Sequence, residues 1–223
     1  MTWVKICGMT NLEDALTAVD AGADALGFVF YEKSPRNISV EAAREIVEKL
    51  PEGVEKIGVF VGQTTNRVNA IAARANLTGV QFYHAKGKSG SEGWTAIIQE
   101  MRRKLIIAVG ETRLIEGGVC ISDEAKRRIY AILIDSGSGD SPGGTGAAFD
   151  WEDCSGMVQG LGSTMPVIAA GGLTPENVIE AIRILKPWGV DVVSGVEATP
   201  GKKDPEKVRA FVKAVRNADR KAS

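Results

Sequence analysis

The most constraining feature of this chain is that short apolar runs alternate with longer stretches of helical period eight times along its length. Runs rich in Val, Ile, Leu and Phe that alternate with helical segments are typical of repeated βα units and a parallel sheet. The pattern predicts strands at residues 4–7, 25–30, 56–61, 79–83, 105–109, 131–135, 167–170 and 190–193. It predicts helices at residues 12–21, 40–50, 65–75, 93–102, 123–128, 151–160, 175–185 and 205–218.

Helix start signals support these boundaries. Seven residues that precede predicted helices can accept hydrogen bonds from the N–H groups of a first helical turn: Asn11, Ser39, Thr64, Ser122, Asp150, Thr174 and Asp204. Pro175 and Pro205 suit the first position of a helix. Eight strands with eight helices predict an α/β fold, a closed (β/α)8 TIM barrel, although periodicity alone leaves an open doubly wound sheet as the alternative. At 223 residues, the chain fits a single barrel domain spanning residues 1–223.

The charge balance disfavours nucleic acid and membrane partners. The chain has 27 Lys and Arg against 28 Asp and Glu, so no net basic field is present to hold a polyanion or an anionic membrane. No apolar run approaches the roughly 20 residues that a membrane span needs. Lys5 interrupts the N-terminus before any apolar stretch of signal-peptide length. We therefore expect a soluble, cytoplasmic protein.

Cysteine and histidine usage disfavours a disulfide framework and a transition-metal site. The three cysteines, Cys7, Cys120 and Cys154, show no Cys-x-x-Cys spacing, and their odd number fits a reducing cytosol. His84 is the only histidine, so a metal would need mostly carboxylate ligands. We expect no metal, and a serine–histidine triad is nearly as disfavoured.

Two strand ends carry groups suited to acid–base chemistry. Asp135 closes the sixth predicted strand beneath a glycine-rich loop, and Cys7 closes the first. Barrel enzymes keep their acids and bases at such carboxyl ends of strands. Strand alternation places Lys5 on the same face as Cys7, where an ammonium favours the thiolate, although a buried cysteine is usually an inert small hydrophobe. We predict that Asp135 and Cys7 form an acid and base pair, and we interpret Cys120 and Cys154 as packing residues.

The loops after the seventh and eighth strands predict a phosphate cradle. Gly171 and Gly172 follow the seventh strand, and Ser194 and Gly195 follow the eighth. Glycines let backbone N–H groups approach an anion closely, and barrels often bind phosphate at this place. The pair of loops predicts a phosphorylated small substrate, with a plain turn of the chain as the alternative for each loop.

Two further loops bear on the substrate. Gly143, Gly144, Thr145 and Gly146 lie in a long excursion after the sixth strand, which we interpret as a lid over the barrel mouth, with a plain flexible loop as the alternative. Arg36 follows the second strand, where its planar guanidinium can hold a carboxylate in two parallel hydrogen bonds. A solvated loop arginine is the alternative.

Eight motifs are spread along the chain. They are KICGMT at 5–10, GADALGFVF at 22–30, SPR at 34–36, LIDS at 133–136, GGTG at 143–146, FDW at 149–151, AGGL at 170–173 and DVVSGVE at 191–197. Together, from Val4 to about Lys213, they closely resemble phosphoribosylanthranilate isomerase. That family is a (β/α)8 barrel of tryptophan biosynthesis that converts N-(5-phosphoribosyl)anthranilate to 1-(2-carboxyphenylamino)-1-deoxy-D-ribulose 5-phosphate. The reaction is an Amadori rearrangement that needs no cofactor and no metal.

The resemblance implies a role for each matching residue. The general acid of the family falls on Asp135, which would protonate the furanose ring oxygen and open the sugar to a Schiff base. The general base falls on Cys7, which would take the proton from C2. Arg36 would hold the anthranilate carboxylate. Backbone groups of four residues would hold the phosphate: Gly171, Gly172, Ser194 and Gly195.

The chain departs from the family pattern at two places. The family usually shows Gln-Leu-His-Gly at the end of strand four, where this chain has Gln81-Phe82-Tyr83-His84. We interpret His84 as a polar loop residue, with the displaced family histidine as the alternative. Val193 stands where many relatives have a second serine, which removes one hydroxyl near the phosphate.

Two rival functions remain open at this point. One is an isomerase of the histidine pathway, or one that accepts both substrates, but that related barrel uses aspartates in both roles and holds two phosphates. The other is a phosphate-binding barrel without catalysis. The expected partner is a small phosphorylated molecule, and both a monomer and a homodimer are consistent with the sequence.

Overall fold

A closed eight-stranded parallel barrel forms the centre of the molecule. The computed structural model describes residues 1–83, 91–110, 123–135 and 151–222. Its barrel strands are β1 Trp3–Cys7, β2 Ala25–Val29, β3 Glu55–Val61, β4 Gly79–Tyr83, β5 Lys104–Gly110, β6 Ile129–Asp135, β7 Val167–Ala169 and β8 Gly189–Val192. Each strand pairs in parallel with the next, and β8 pairs with β1. The predicted barrel is confirmed, and the open sheet is excluded.

Helices follow the strands as the period of the sequence predicts. They are α1 Leu12–Asp20, α2 Val40–Val47, α3 Thr65–Arg74, α4 Ser91–Glu100, α5 Asp123–Lys126, α6 Trp151–Gly162, α7 Val178–Leu185 and α8 Pro205–Ala222. After β8, a short 3-10 turn at Ser194–Val196 leads into a two-stranded antiparallel hairpin of β9 Glu197–Thr199 and β10 Lys202–Lys203. Within the described residues, no helix is long and apolar enough to cross a membrane.

Three of the predicted helix caps are confirmed. Asn11 Oδ1 accepts from the N–H of Asp14 at 2.9 Å, and Ser39 Oγ accepts from the N–H of Ala42 at 3.1 Å. Asp204 Oδ1 accepts from the first turn of α8. Thr64, by contrast, makes no side-chain cap bond. Ser122 and Asp150 lie outside the described residues.

The start of α7 differs from the prediction. The helix begins at Val178, so Pro175 lies in the preceding turn rather than at the first helical position. The cause is Asn177, whose side-chain oxygen accepts from the N–H of Thr174 at 2.8 Å and whose amide donates to the carbonyl of Gly172 at 2.9 Å. These bonds hold residues 172–177 as a loop at the barrel rim, because they satisfy backbone groups outside a helix.

Two apolar layers build the core. The larger lies between the strands and the surrounding helices, and includes fully buried Leu26, Phe28 and Phe211. The smaller lies inside the barrel towards its amino end, where Trp3 and Ile57 are both buried. The polar groups described below therefore lie above a closed apolar floor.

Candidate active site

One pocket at the carboxyl ends of the strands contains most of the predicted site residues. It is lined by Cys7, Arg36, Asp135, Gly171, Gly172 and Ser194. Gly195 does not line the pocket but is adjacent to Ser194 in the chain. Gly143, Gly144, Thr145, Gly146, His84 and Cys120 lie outside the described residues. The predicted groups from three separate loops and two strand ends thus face a single cavity.

Cys7 closes β1 and is 3 % exposed. It lies opposite Gly27 of β2, where an added Cβ would come within 2.4 Å of the Cys7 sulfur, so only glycine leaves room for the thiol. Burial raises the pKa of the Cys7 thiol above its ordinary value, and the opposing charges of Lys5 and Lys203 do not offset it. The expectation that Lys5 favours the thiolate is therefore correct in sign, but burial is the larger effect.

Lys5 lies beneath Cys7 in a buried ion pair. Its ammonium donates to both carboxylate oxygens of Asp191 on β8, at 3.1 and 3.0 Å, and both side chains are almost completely buried. Burial alone would lower the pKa of Lys5, but the charges of Asp191 and Cys7 raise it above its ordinary value. The ammonium therefore stays charged, as a fixed positive group next to the thiol.

Asp135 closes β6 on the other side of the pocket and is 3 % exposed. The hydroxyl of Tyr83, the last residue of β4, donates to Asp135 Oδ2 at 2.9 Å. Gln81 Nε2 in turn donates to the Tyr83 hydroxyl at 3.2 Å. A carboxyl enclosed in this way, at the top of a parallel strand, is placed as barrel enzymes place a proton donor.

Arg36 lies at the pocket wall, but it is not the solvated loop arginine that the sequence left open. Its Nε and Nη2 donate to Glu197 Oε1 and Oε2 at 3.0 and 2.7 Å. Lys203 and the N–H of Gly201 also donate to Glu197 Oε1. Burial alone would raise the pKa of Glu197, but these donors lower it below its ordinary value. Glu197 is therefore an ionised anchor that fixes the plane of the guanidinium.

The two predicted phosphate loops contact each other through their backbones. Gly171 and Gly172 have φ values of 82° and 64°, in the left-handed region that favours glycine. A Cβ added to Gly195 would come within 1.9 Å of the carbonyl oxygen of Leu173, so only glycine allows this approach. The loops after β7 and β8 thus form one continuous backbone surface at the pocket edge.

Sequence reasoning missed three charged or polar partners in this site. Asp191 and Glu197 both belong to the DVVSGVE motif, but pairing them with Lys5 and Arg36 requires a closed barrel. Tyr83 stands out in the sequence only as a departure from the family pattern, which does not reveal its bond to Asp135. Cys154, predicted to pack, is fully buried in the outer core. Among the described residues, no group of three or more His, Cys, Asp or Glu side chains is placed to hold a metal.

Comparison with known proteins identifies the family. Residues 4–214 match the family model described as N-(5'-phosphoribosyl)anthranilate (PRA) isomerase. The N-(5'-phosphoribosyl)anthranilate isomerase of Geotalea uraniireducens strain Rf4 is 44 % identical over 213 residues, which are 96 % of this chain and 98 % of that protein. The enzyme of Pseudomonas fluorescens strain Pf0-1 is 43 % identical, over 95 % of this chain and 97 % of its own.

Solved structures agree with the family model. The crystal structure of the Thermotoga maritima enzyme has a TM-score of 0.81 at 38 % identity, and the match covers 97 % of this chain and 100 % of that one. A crystal structure of a phosphoribosyl anthranilate isomerase in complex with reduced 1-(o-carboxyphenylamino)-1-deoxyribulose 5-phosphate has a TM-score of 0.79, at the same identity and coverage. The chain belongs to the N-(5'-phosphoribosyl)anthranilate isomerase family.

Proposed function

We propose that this protein is an enzyme of tryptophan biosynthesis that converts N-(5'-phosphoribosyl)anthranilate to 1-(2-carboxyphenylamino)-1-deoxy-D-ribulose 5-phosphate. The reaction is an acid–base Amadori rearrangement. The observation that carries the proposal is that Cys7 and Asp135 line the same pocket as the glycine-rich loops after β7 and β8. A related enzyme holds a reduced form of this product, which has a phosphate at one end and a carboxylate at the other.

Asp135 supplies the acid for the first step. Its proton passes to the furanose ring oxygen, the bond between that oxygen and C1 breaks, and the nitrogen lone pair forms a Schiff base. A general acid of this kind contributes about 10²–10⁴ in rate. The enclosed position of Asp135, with 3 % of its surface exposed, keeps bulk water from competing for that proton.

Cys7 supplies the base for the second step. Its thiolate takes the proton from C2, which gives an enolamine that tautomerises to the ketone. Because burial raises the pKa of Cys7, the thiolate is a stronger base than an exposed one, and the cations of Lys5 and Lys203 oppose that rise. Burial thus makes the thiolate of Cys7 more basic, while the two cations increase the fraction of Cys7 that is present as thiolate.

The two ends of the substrate are held by groups that do not react. The anthranilate carboxylate binds to Arg36, whose guanidinium is already oriented by Glu197. The phosphate binds to backbone groups of Gly171, Gly172, Ser194 and Gly195, where positive-φ glycines and the close loop contact support an anion cradle. Two fixed ends orient the sugar between the acid and the base.

The test is the fluorescence of phosphoribosylanthranilate, made in place from anthranilate and phosphoribosyl pyrophosphate by an auxiliary transferase. We expect the signal to decay rapidly when purified protein is added in the presence of a chelator. The substrate of the histidine-pathway isomerase is assayed in parallel, and we expect little turnover of it. Turnover of that substrate alone would move the assignment to the histidine pathway, and no turnover of either by folded protein would favour a binding role.

The oligomeric state is a separate proposal. We infer a monomer or a homodimer, because a Thermotoga maritima relative is described both as a dimer and as monomers generated from it. That relative is 36 % identical and has a TM-score of 0.75 to this chain. Light scattering coupled to size-exclusion chromatography measures the mass directly, and any larger assembly would contradict the inference.

A further inference from the structure

Tyr83 bonds to the proposed acid and packs against the cluster that contains the proposed base, although the proposed reaction steps do not use it. It is the last residue of β4, and its partly buried ring packs against the cluster formed by Cys7, Val29 and Val59. Its hydroxyl reaches across the pocket to Asp135 Oδ2 at 2.9 Å. One side chain thus joins the proposed acid to the apolar cluster around the proposed base.

The direction of the hydrogen bond follows from the neighbours of the hydroxyl. Gln81 Nε2, which can only donate, lies 3.2 Å from the Tyr83 oxygen. The Tyr83 oxygen is therefore the acceptor of that bond, and its single proton is directed to Asp135. Gln81 is 1 % exposed and its Oε1 has no hydrogen-bond partner among the described residues, so the direction rests on Asp135, whose carboxylate oxygens can only accept.

Tyr83 does not donate its own proton to the substrate. Burial first, and then the negative charges of Asp135, Asp191 and Cys7, raise the pKa of Tyr83 well above its ordinary value. These groups face the hydroxyl from β6, β8 and β1, and Lys5 on β1 is the nearby cation that pairs with Asp191. The phenol therefore stays neutral and acts only as a hydrogen-bond donor.

We propose that Tyr83 is a positioning residue for the acid step, because its hydroxyl holds Oδ2 of Asp135 as an acceptor. The transferable proton of Asp135 is then carried on Oδ1. When that proton passes to the ring oxygen, Asp135 becomes a carboxylate and the bond from Tyr83 becomes charge-assisted, which strengthens it. Tyr83 thus stabilises charge that develops during the proton transfer. This inference rests on the proposed role of Asp135.

The test uses Tyr83→Phe, which removes the hydroxyl and keeps the ring. We expect kcat to fall about tenfold or more with KM nearly unchanged, because the lost bond is strongest after proton transfer. The matched control is Tyr130→Phe, the same change on β6, at a partly buried ring in the amino-end layer whose hydroxyl has no hydrogen bond among the described residues. We expect that control to keep the kcat of the unmodified protein.

A second readout separates positioning from packing. The side-chain carboxyl of Asp135 is followed by carbon NMR in protein labelled at aspartate, and its signal is assigned by its loss in Asp135→Asn. We expect its titration midpoint to move up by about one pH unit in Tyr83→Phe, because the hydroxyl favours the charged carboxylate. An unchanged midpoint, or an unchanged kcat, would overturn the inference.

Failure of the inference is distinguishable from failure of the proposed function. If Asp135→Asn turns over substrate at a near-normal rate, then Asp135 is not the acid, and the proposed site fails whatever Tyr83 does. If Asp135→Asn is inactive while Tyr83→Phe behaves as the unmodified protein does, then only the role of Tyr83 is wrong.

Discussion

The two ends of the barrel differ in what they bury. At the amino end, the interior holds apolar side chains such as Trp3, Ile57 and Ile168, and Trp3 stacks on Trp188 with ring centroids 5.2 Å apart. At the carboxyl end, the interior holds ionisable groups within the same strands. Buried apolar surface stabilises a fold by about 25 cal/mol per Å², whereas a buried charge costs free energy unless it is paired. The amino end therefore stabilises the barrel, and the carboxyl end is the place where we propose that the chemistry occurs.

Strand β1 has both an apolar side chain and ionisable side chains on one face. Its alternate residues Trp3, Lys5 and Cys7 point the same way, in the order apolar ring, buried ammonium and thiol. Lys5 pairs with Asp191, so the charge below the thiol is compensated. Three residues of one strand thus separate a stabilising position from one proposed to be reactive, and substitutions at the two ends should have different readouts.

The largest expected effect is at the carboxyl end. Asp135→Asn keeps the shape of the side chain but removes the acid, so we expect turnover to fall by about 10²–10⁴. Steady-state fluorescence kinetics measures the loss, and circular dichroism checks that the fold is intact. Near-normal turnover would remove the acid assignment and, with it, the contrast between the two ends.

The opposite readout is expected at the amino end. Trp3→Ala removes a ring that is 8 % exposed, and we expect the free energy of unfolding to fall by about 3–5 kcal/mol with little change in kcat per folded molecule. Urea unfolding measures the free energy of unfolding, and steady-state kinetics normalised to the concentration of folded protein measures kcat. Trp188→Ala, at a ring that is 37 % exposed, is the matched control with a smaller expected loss. A large fall in kcat for Trp3→Ala would contradict the separation of roles.

A binding effect is expected at the pocket wall. Arg36→Ala removes the group proposed to hold the anthranilate carboxylate, so we expect KM to rise about tenfold or more while kcat changes little, because that group is remote from the reacting carbons. Glu197 keeps Lys203 as a partner, which limits the structural cost. A fall in kcat at unchanged KM would be the opposite of this expectation.

The smallest expected effect concerns the charge beneath the thiol. Lys5 opposes the rise in the pKa of Cys7 that burial causes, so removing the ammonium leaves that pKa higher still. In Lys5→Met, we therefore expect the rate of Cys7 alkylation by iodoacetamide to rise with pH about one unit later than in the unmodified protein. The rate in Cys7→Ala is subtracted to remove other thiols.

A double variant controls for Asp191, which loses its ion-pair partner in Lys5→Met. In Lys5→Met with Asp191→Leu, neither member of the pair is left unpaired, so any remaining delay reports the lost ammonium rather than the unpaired carboxylate of Asp191. An alkylation profile that does not move in either variant would show that Lys5 has no influence on the thiol.

The sequence was informative where a property depends on a single strand or loop. Local periodicity predicts the eight strands and places Cys7 and Asp135 at strand ends. Closing a parallel sheet then brings all the carboxyl ends to one face, so the two residues meet. The glycines of the two loops proposed to hold the phosphate are predicted for the same reason. Local patterns suffice when the fold itself brings the residues together.

The sequence was uninformative where a property depends on pairing between distant strands. Lys5 and Asp191 are 186 positions apart, and Arg36 and Glu197 are 161 apart, so neither pair can be read without the closed barrel. The late start of α7 depends on the side chain of Asn177 crossing its own loop. The balance of burial against Lys5 at Cys7 likewise depends on how deeply the strand end is enclosed.

The most direct test of the central claim is the decay of phosphoribosylanthranilate fluorescence in the unmodified protein and in Cys7→Ala, at equal folded concentration and with a chelator present. We predict rapid decay in the first and a rate lower by about 10²–10⁴ in the second, because no other group at the carboxyl end is proposed to take the C2 proton. Decay at the same rate in both would show that Cys7 is not the base, and the assignment of chemistry to this end of β1 would be wrong.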